Sequence, residues 1–211
     1  MVKAVLFDLD GTLLNTLPDI RFVLNETLKK YSYPEITVDE ARAYIGEGAY
    51  RLVERALPDY ATNIEEFFED FKKVYAACAN ERTYVYEGMT ELVTRLKAKG
   101  VKVAIITNKP QEATEECVKQ FFGDTFDFVG GDSGDFPCKP DPTLARYAAL
   151  TLRVSPAECV FVGDGETDAQ TAINAGMKGV SVLWGYRTRQ QLEKAGATRF
   201  ASSVKELEKF L

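Results

Sequence analysis

With 211 residues, 45% of them hydrophobic, the chain is long enough for one large domain or a core domain with an insert, and apolar enough to bury a core. Its net charge of -6, with no Lys/Arg run longer than two, excludes the basic footprint of a nonspecific nucleic-acid binder and favours small partners. Histidine is absent, which excludes Ser-His-Asp and Cys-His nucleophile schemes and His-ligated zinc, so carboxylates, lysine and hydroxyls must do any chemistry.

The first element, Lys3-Phe7, reads as a strand buried on both faces, and it runs directly into Asp8-Leu9-Asp10-Gly11-Thr12. Side chains alternate along an extended chain, so Asp8 and Asp10 share a side and repel unless a cation or a proton intervenes. From about Leu17 to Arg82 only helical patterns occur, with one apolar stripe through Ile20, Val23, Leu24, Leu28 and Tyr31 and another through Ile64, Phe67, Phe68, Phe71, Val74, Tyr75 and Cys78. This segment is expected to be an inserted helical module, residues 16-83, with hinges at Leu14-Pro18 and Thr83-Gly88. Residues 1-15 and 84-211 then form the core domain.

Beyond the insert, Met89, Leu92, Val93 and Leu96 mark a one-sided helix that stops at Gly100. Strands follow at Val101-Thr107, Phe126-Val129, Val160-Val162 and Gly179-Leu183, with an edge strand near Arg199-Ala201. Helices at Glu112-Phe122, Asp141-Leu152, Thr167-Ala175 and Val204-Phe210 alternate with them. Strand-helix alternation implies an α/β fold, a Rossmann-like parallel sheet covered on both faces. No apolar run approaches the roughly 18 residues that span a bilayer. Cys78, Cys117, Cys138 and Cys159 are widely spaced without a CxxC, and "MVKAVLF" turns acidic too soon for a signal peptide, so a cytoplasmic, reducing setting is expected.

Four polar loops follow the strands: Asp8 to Thr12, Thr107-Asn108-Lys109, Cys138-Lys139-Pro140 and Gly163-Asp164-Gly165-Glu166-Thr167-Asp168. Each has a plainer reading, as a turn, a helix cap or a solvated lysine. The carboxyl ends of the strands in an open α/β sheet form the ligand crevice, so these groups can converge. Mg2+ prefers such oxygens, and a phosphoryl group would sit between it and the lysine. The four fixed residues of D-x-D-G-T arise by chance in such a chain about once in a thousand, at ordinary residue usage.

These motifs, D-L-D-G-T (8-12), T-N (107-108), K-P (139-140) and G-D-G-E-T-D (163-168), resemble those of the haloacid dehalogenase-like phosphohydrolases over essentially the whole chain. The resemblance implies Asp8 as a nucleophile that forms an aspartyl-phosphate and Asp10 as acid and then base. It implies Gly11, Thr12, Thr107, Asn108 and Lys139 around the phosphate, and a Mg2+ site of Asp8, Asp164, Asp168 and the main-chain carbonyl of Asp10. The helical module then resembles that family's mobile cap. "YIGEGAYRLVERAL" (Tyr44 to Leu57) is similar to the cap segment of the phosphoglycolate phosphatases. The expected substrate is accordingly a small phosphorylated metabolite, with 2-phosphoglycolate leading and Gly46, Gly48 and Arg51 as readers of its carboxylate. A broad metabolite phosphatase, nucleotidase or pyrophosphatase is the alternative, and a phospho-accepting signalling receiver is the alternative from another class. No nucleic-acid or membrane partner is expected, and the chain should be a monomer or homodimer. Cys138, next to the cation of Lys139, is a candidate reactive thiol.

Overall fold

The computed structural model describes residues 1–211. At its centre lies β1 (Ala4–Phe7), whose four side chains are all buried because both faces of the sheet are covered. It pairs in parallel with β4 (Lys102–Pro110) on one side and β6 (Cys159–Gly163) on the other. β5 (Phe128–Asp132) flanks β4, while β7 (Lys178–Val182) and β8 (Phe200–Ala201) extend the opposite side, giving the order β5-β4-β1-β6-β7-β8 with parallel pairing throughout. The pleat divides β1 between two cores. Val5 and Phe7 pack with α5 (Met89–Ala98), α6 (Gln111–Phe122) and α10 (Val204–Leu207), whereas Ala4 and Leu6 pack with α7 (Thr143–Thr151) and α8 (Glu166–Ala175).

Each expected strand and helix is present, with ends moved by a few residues. β5 begins two residues later and ends three later than expected, and β4 continues past Thr107 through Asn108 and Lys109, so it carries those side chains on its buried end. Two features, among others, had no expectation. One is the short α9 (Arg189–Lys194), opened by a capping box of Thr188 and Gln191. The other is an antiparallel pair, β2 (Leu14–Asn15) with β3 (Tyr84–Val85), formed where the helical segment leaves and rejoins the sheet.

Four helices fill that segment: α1 (Leu17–Lys30), α2 (Val38–Tyr44), α3 (Ala49–Ala56) and α4 (Ile64–Ala77). They enclose an apolar cluster of their own, built on Val23, Leu24 and Leu28 of α1, Leu52 and Val53 of α3, and Phe67 and Phe71 of α4. Amphipathic packing of this kind, rather than intrinsic propensity, stabilises helices only two to four turns long.

Asp19, in the first turn of α1, ties the two crossing points together. Its buried carboxylate accepts hydrogen bonds from Thr83 Oγ1 (2.7 Å), Arg82 N (2.9 Å) and Arg82 Nη1 (3.3 Å). Burial would raise its pKa, but these donors, with the Cys78 thiol, outweigh burial and hold it below the ordinary carboxylate value. A depressed carboxylate contributes stability above its unfolded pKa of about 3.9 and loses it as the pH falls through its folded value. Asp19→Ala is therefore expected to lower stability by about 1–3 kcal/mol at neutral pH, the cost of leaving buried donors unpaired. In denaturant titrations the deficit relative to wild type should narrow in acid below about pH 4. A deficit that does not change with pH would show that Asp19 does not stabilise the hinges through its charge.

Candidate active site

At the carboxyl end of β1 the chain turns, and Asp8 donates its amide N–H to Val162 O of β6 at 2.8 Å, which fixes its side chain between the two central strands. Asp164, just past β6, and Asp168, in the first turn of α8, converge on it, so that one carboxylate oxygen from each of the three lies within 4.8 Å of the others, all buried. Lys139 enters from the loop before α7. Its ammonium, 3% exposed, binds Asp8 Oδ1 at 2.7 Å and Asp168 Oδ1 at 2.6 Å. Burial opposes a charge on Lys139, but Asp168 and Asp8 hold its pKa well above the ordinary lysine value. Three carboxylates with one ammonium leave excess negative charge. Burial first, and then carboxylate repulsion, pushes Asp8 up to about 7 and Asp164 up to about 8. A buried, oxygen-only, anionic cluster of this composition fits a hard dication such as Mg2+.

The surrounding chain holds these carboxylates in fixed orientations. Thr12 Oγ1 donates to Asp164 Oδ1 (2.9 Å) and Tyr186 N to Asp164 Oδ2 (2.7 Å). Two glycines make room for the same group. A Cβ on Gly11, at φ +89°, would come within 2.4 Å of Asp164 Oδ2, and one on Gly185 within 2.3 Å of Asp164 Cβ. Asp168 Oδ2 accepts from Gly165 N (2.8 Å), capping α8 while its other oxygen holds Lys139. Thr12 and Gly11, expected at the phosphate, thus sit against Asp164.

On the β4 side, Asn108 joins three parts of the chain. Its Oδ1 accepts from Lys139 N (2.7 Å), and its Nδ2 donates to Lys139 O and to Gly46 O, each at 3.1 Å. Thr107 is buried beside it, with Oγ1 accepting from Lys109 N at 3.3 Å. The Asp10 side chain does not join the three-carboxylate cluster but turns to Lys109, whose Nζ lies 3.1 and 3.3 Å from its two oxygens. Burial opposes the Lys109 charge, and the Asp10 carboxylate outweighs it, holding the lysine well above its ordinary pKa.

A cavity of about 180 Å³ lies between the sheet and the helical segment. Asp8, Asp10, Thr107, Asn108, Lys109 and Lys139 form its floor, and Ile20, Ile45, Gly46, Gly48, Leu52 and Phe71 face them from the helices. It is smaller than the roughly 300–1,000 Å³ of drug-sized ligand sites.

Two sequence expectations find no support in this geometry. Arg51 is exposed, pairs with Glu54 and does not line the cavity. Ala49, Leu52, Val53 and Ala56 recur at i, i+3, i+4 and i+7 and form the inward stripe of α3, which turns Arg51 outward. Cys138 is exposed, and its thiol is pushed up by partial burial and by Asp132, because the Lys139 ammonium points away to Asp8 and Asp168. The residues that sequence reasoning missed are Lys109, Tyr75, Gly185, Tyr186 and Arg187. Lys109 had a signal, standing next to Thr107-Asn108 at a strand end; the others reach the site only through the tertiary fold.

The whole arrangement has relatives. A family model described as haloacid dehalogenase-like hydrolase matches residues 2–176. A phosphoglycolate phosphatase of Vibrio parahaemolyticus is 30% identical over 217 residues, covering 98% of this chain and 94% of the relative. A crystal structure from Lactobacillus delbrueckii subsp. bulgaricus, provisionally named a phosphoglycolate phosphatase, superposes with a TM-score of 0.92 at 31% identity over 99% of this chain and 97% of the other. CbbY from Rhodobacter sphaeroides in complex with phosphate gives a TM-score of 0.83 at 26% identity, covering 98% and 96% of the two chains. With the family model spanning most of its length, the chain belongs to the haloacid dehalogenase-like hydrolases, among relatives of the phosphoglycolate phosphatase type.

Proposed function

We propose that the protein is a Mg2+-dependent phosphomonoester hydrolase that works through an aspartyl-phosphate on Asp8 and takes 2-phosphoglycolate. The observation that carries this reading is the pairing at the cavity floor, where Asp8 is gripped by Lys139 through one oxygen and followed two residues later by a second acid that stands outside the carboxylate cluster. With Oδ1 held by Lys139, Asp8 Oδ2 attacks phosphorus, the bond to the ester oxygen breaks, and Asp10 gives that oxygen a proton. Water then attacks the acyl phosphate and Asp10 takes its proton back, so that inorganic phosphate leaves and the Asp8 carboxylate is restored. Asp8, Asp164 and the main-chain carbonyl of Asp10 would hold the Mg2+, with Asp168 behind them orienting Lys139. The bound ion supplies charge neutralisation for the phosphoryl oxygens. Thr107, which lines the cavity beside Asp8, would receive one of those oxygens, while Asn108 keeps Lys139 in position.

The helical segment acts as the cap. A small chamber between cap and sheet favours compact substrates over polymers. The phosphoglycolate phosphatase relatives support 2-phosphoglycolate within that size limit. A phospho-accepting receiver needs neither the cap nor Asp10, and both are present.

Asp8→Asn is expected to abolish phosphate release while leaving the fold intact, because it removes the nucleophile but little volume. Asp10→Asn should slow turnover by about 10²–10⁴-fold, the usual contribution of general acid-base help. Near-wild-type release by either variant, measured with a phosphate-detection assay, would overturn the mechanism. The raised carboxylates give a second test. With Asp8 near 7 and Asp164 near 8, against about 3.9 unfolded, the cation-free folded protein keeps protons that the unfolded chain has lost. Stability in chelator therefore falls as pH rises through that window, and the Mg2+-induced rise in Tm should grow from about pH 5 to about pH 8. A Mg2+ shift that is absent, or that does not vary with pH, would count against the cation site.

A further inference from the structure

The chamber holds a second buried cation. Lys109, 4% exposed, projects from the end of β4 and meets Asp10 from the core side, while α4 of the cap closes over it and brings the Tyr75 ring centroid to 4.9 Å from Nζ. Both residues line the cavity. The Tyr75 hydroxyl is buried beside the Lys109 ammonium and is the one buried side-chain polar atom without a hydrogen bond of good geometry. An unpaired buried hydroxyl is unfavourable by about 1–3 kcal/mol, so its place beside an ammonium needs a reason beyond packing. Among the cap side chains that line the cavity, Ile20, Ile45, Leu52 and Phe71 are apolar, and Gly46 and Gly48 carry no side chain to meet an anion. Lys72 also lines the cavity, but its side chain is 46% exposed and pairs with Glu69.

The geometry points to Lys109 and Tyr75 as the subsite for a carboxylate on the substrate, one carbon away from the ester oxygen. This rests on the phosphomonoesterase reading, because the position follows from it. Asp10 must reach the ester oxygen to protonate it, so that oxygen lies on the Asp10 side of the cavity, where Lys109 also stands. A carboxylate separated from that oxygen by a single carbon therefore falls against Lys109, and the cap hydroxyl is the second donor within reach. The incoming carboxylate replaces Asp10 as the partner of Lys109 and leaves the Asp10 side chain to turn toward the ester oxygen. Substrates without the carboxylate leave Asp10 paired with Lys109 and Tyr75 unpaired. Discrimination follows from both sides of the cleft, one group from the core and one from the cap, so a substrate with the carboxylate also draws the cap down.

The test compares kcat/KM for 2-phosphoglycolate with that for ethyl phosphate in wild type, Tyr75→Phe and Lys109→Gln, with Mg2+ present. Wild type should prefer 2-phosphoglycolate. Tyr75→Phe removes only an oxygen that the fold leaves unpaired, so folding is expected to be unharmed. It should raise KM for 2-phosphoglycolate about 10-fold and leave ethyl phosphate unchanged. Lys109→Gln should cost 2-phosphoglycolate about 10- to 100-fold more than ethyl phosphate, as expected for losing a charge-assisted hydrogen bond. If wild type hydrolyses both esters without preference, or if either variant lowers both equally, the subsite is wrong and the hydrolase reading stands. If wild type with Mg2+ releases phosphate from neither ester, the hydrolase reading fails and the subsite falls with it.

Discussion

Electrostatic repulsion among three buried carboxylates is the constraint that organises this molecule. Like charges within 4.8 Å of one another repel by at least roughly 3 kcal/mol per pair at an effective dielectric of about 20. Lys139 relieves this by binding two of the three oxygens at once, and the remaining excess of negative charge suits a dication. To keep that lysine in place the chain adds further supports. Asn108 fixes the lysine's backbone from β4, Asp168 is pinned to the first turn of α8, and Asp164 is oriented by a threonine and a main-chain N–H. The two central strands, β1 and β6, end where these groups meet. The stability of the sheet is thereby used to hold a cluster that would not assemble on its own.

Much of the sheet was legible in the sequence because strand burial and helix periodicity are local properties, as at Val5-Leu6-Phe7 and Met89-Leu92-Val93-Leu96. The motif residues Asp8, Lys139 and Asp164 could be named for the same reason, since each follows a recognisable strand or loop. Their convergence was an inference from topology and not from any local pattern. What escaped the sequence depends on distant partners. Tyr186 and Arg187 follow β7 in an unremarkable loop, yet they act on residues some 140 to 170 positions earlier. Tyr75 sat correctly on an apolar stripe, but its hydroxyl acquired meaning only when α4 folded over Lys109. Arg51 was misplaced by reasoning from distance along the helix and ignoring its face. The stripe of α3 was present in the sequence and would have turned that side chain outward.

The sheet and the cap are connected through the site itself. Tyr186 N binds Asp164, and its hydroxyl accepts N–H donation from Thr16 and Leu17 at the start of α1 (3.0 and 3.1 Å). Asn108 links the Lys139 loop to Gly46 of the cap. Any hinge motion at Thr16–Leu17 is therefore felt at Asp164, and any retreat of the cap loop removes a partner from Asn108.

Arg187 gives the closure a particular character. Its guanidinium binds Glu166 at 2.8 Å on the core side, and on the cap side it grips main-chain oxygens of Arg42 (2.9 Å) and Ile45 (2.6 Å) at the end of α2. Backbone carbonyls are the same whatever residue carries them, so this latch reads the path of the chain and not its letters. Side-chain changes at Arg42 and Ile45 would therefore leave these contacts in place. The contact depends on where the main chain runs at the end of α2, so it would fail through a change of backbone path there and not through a change of side chain.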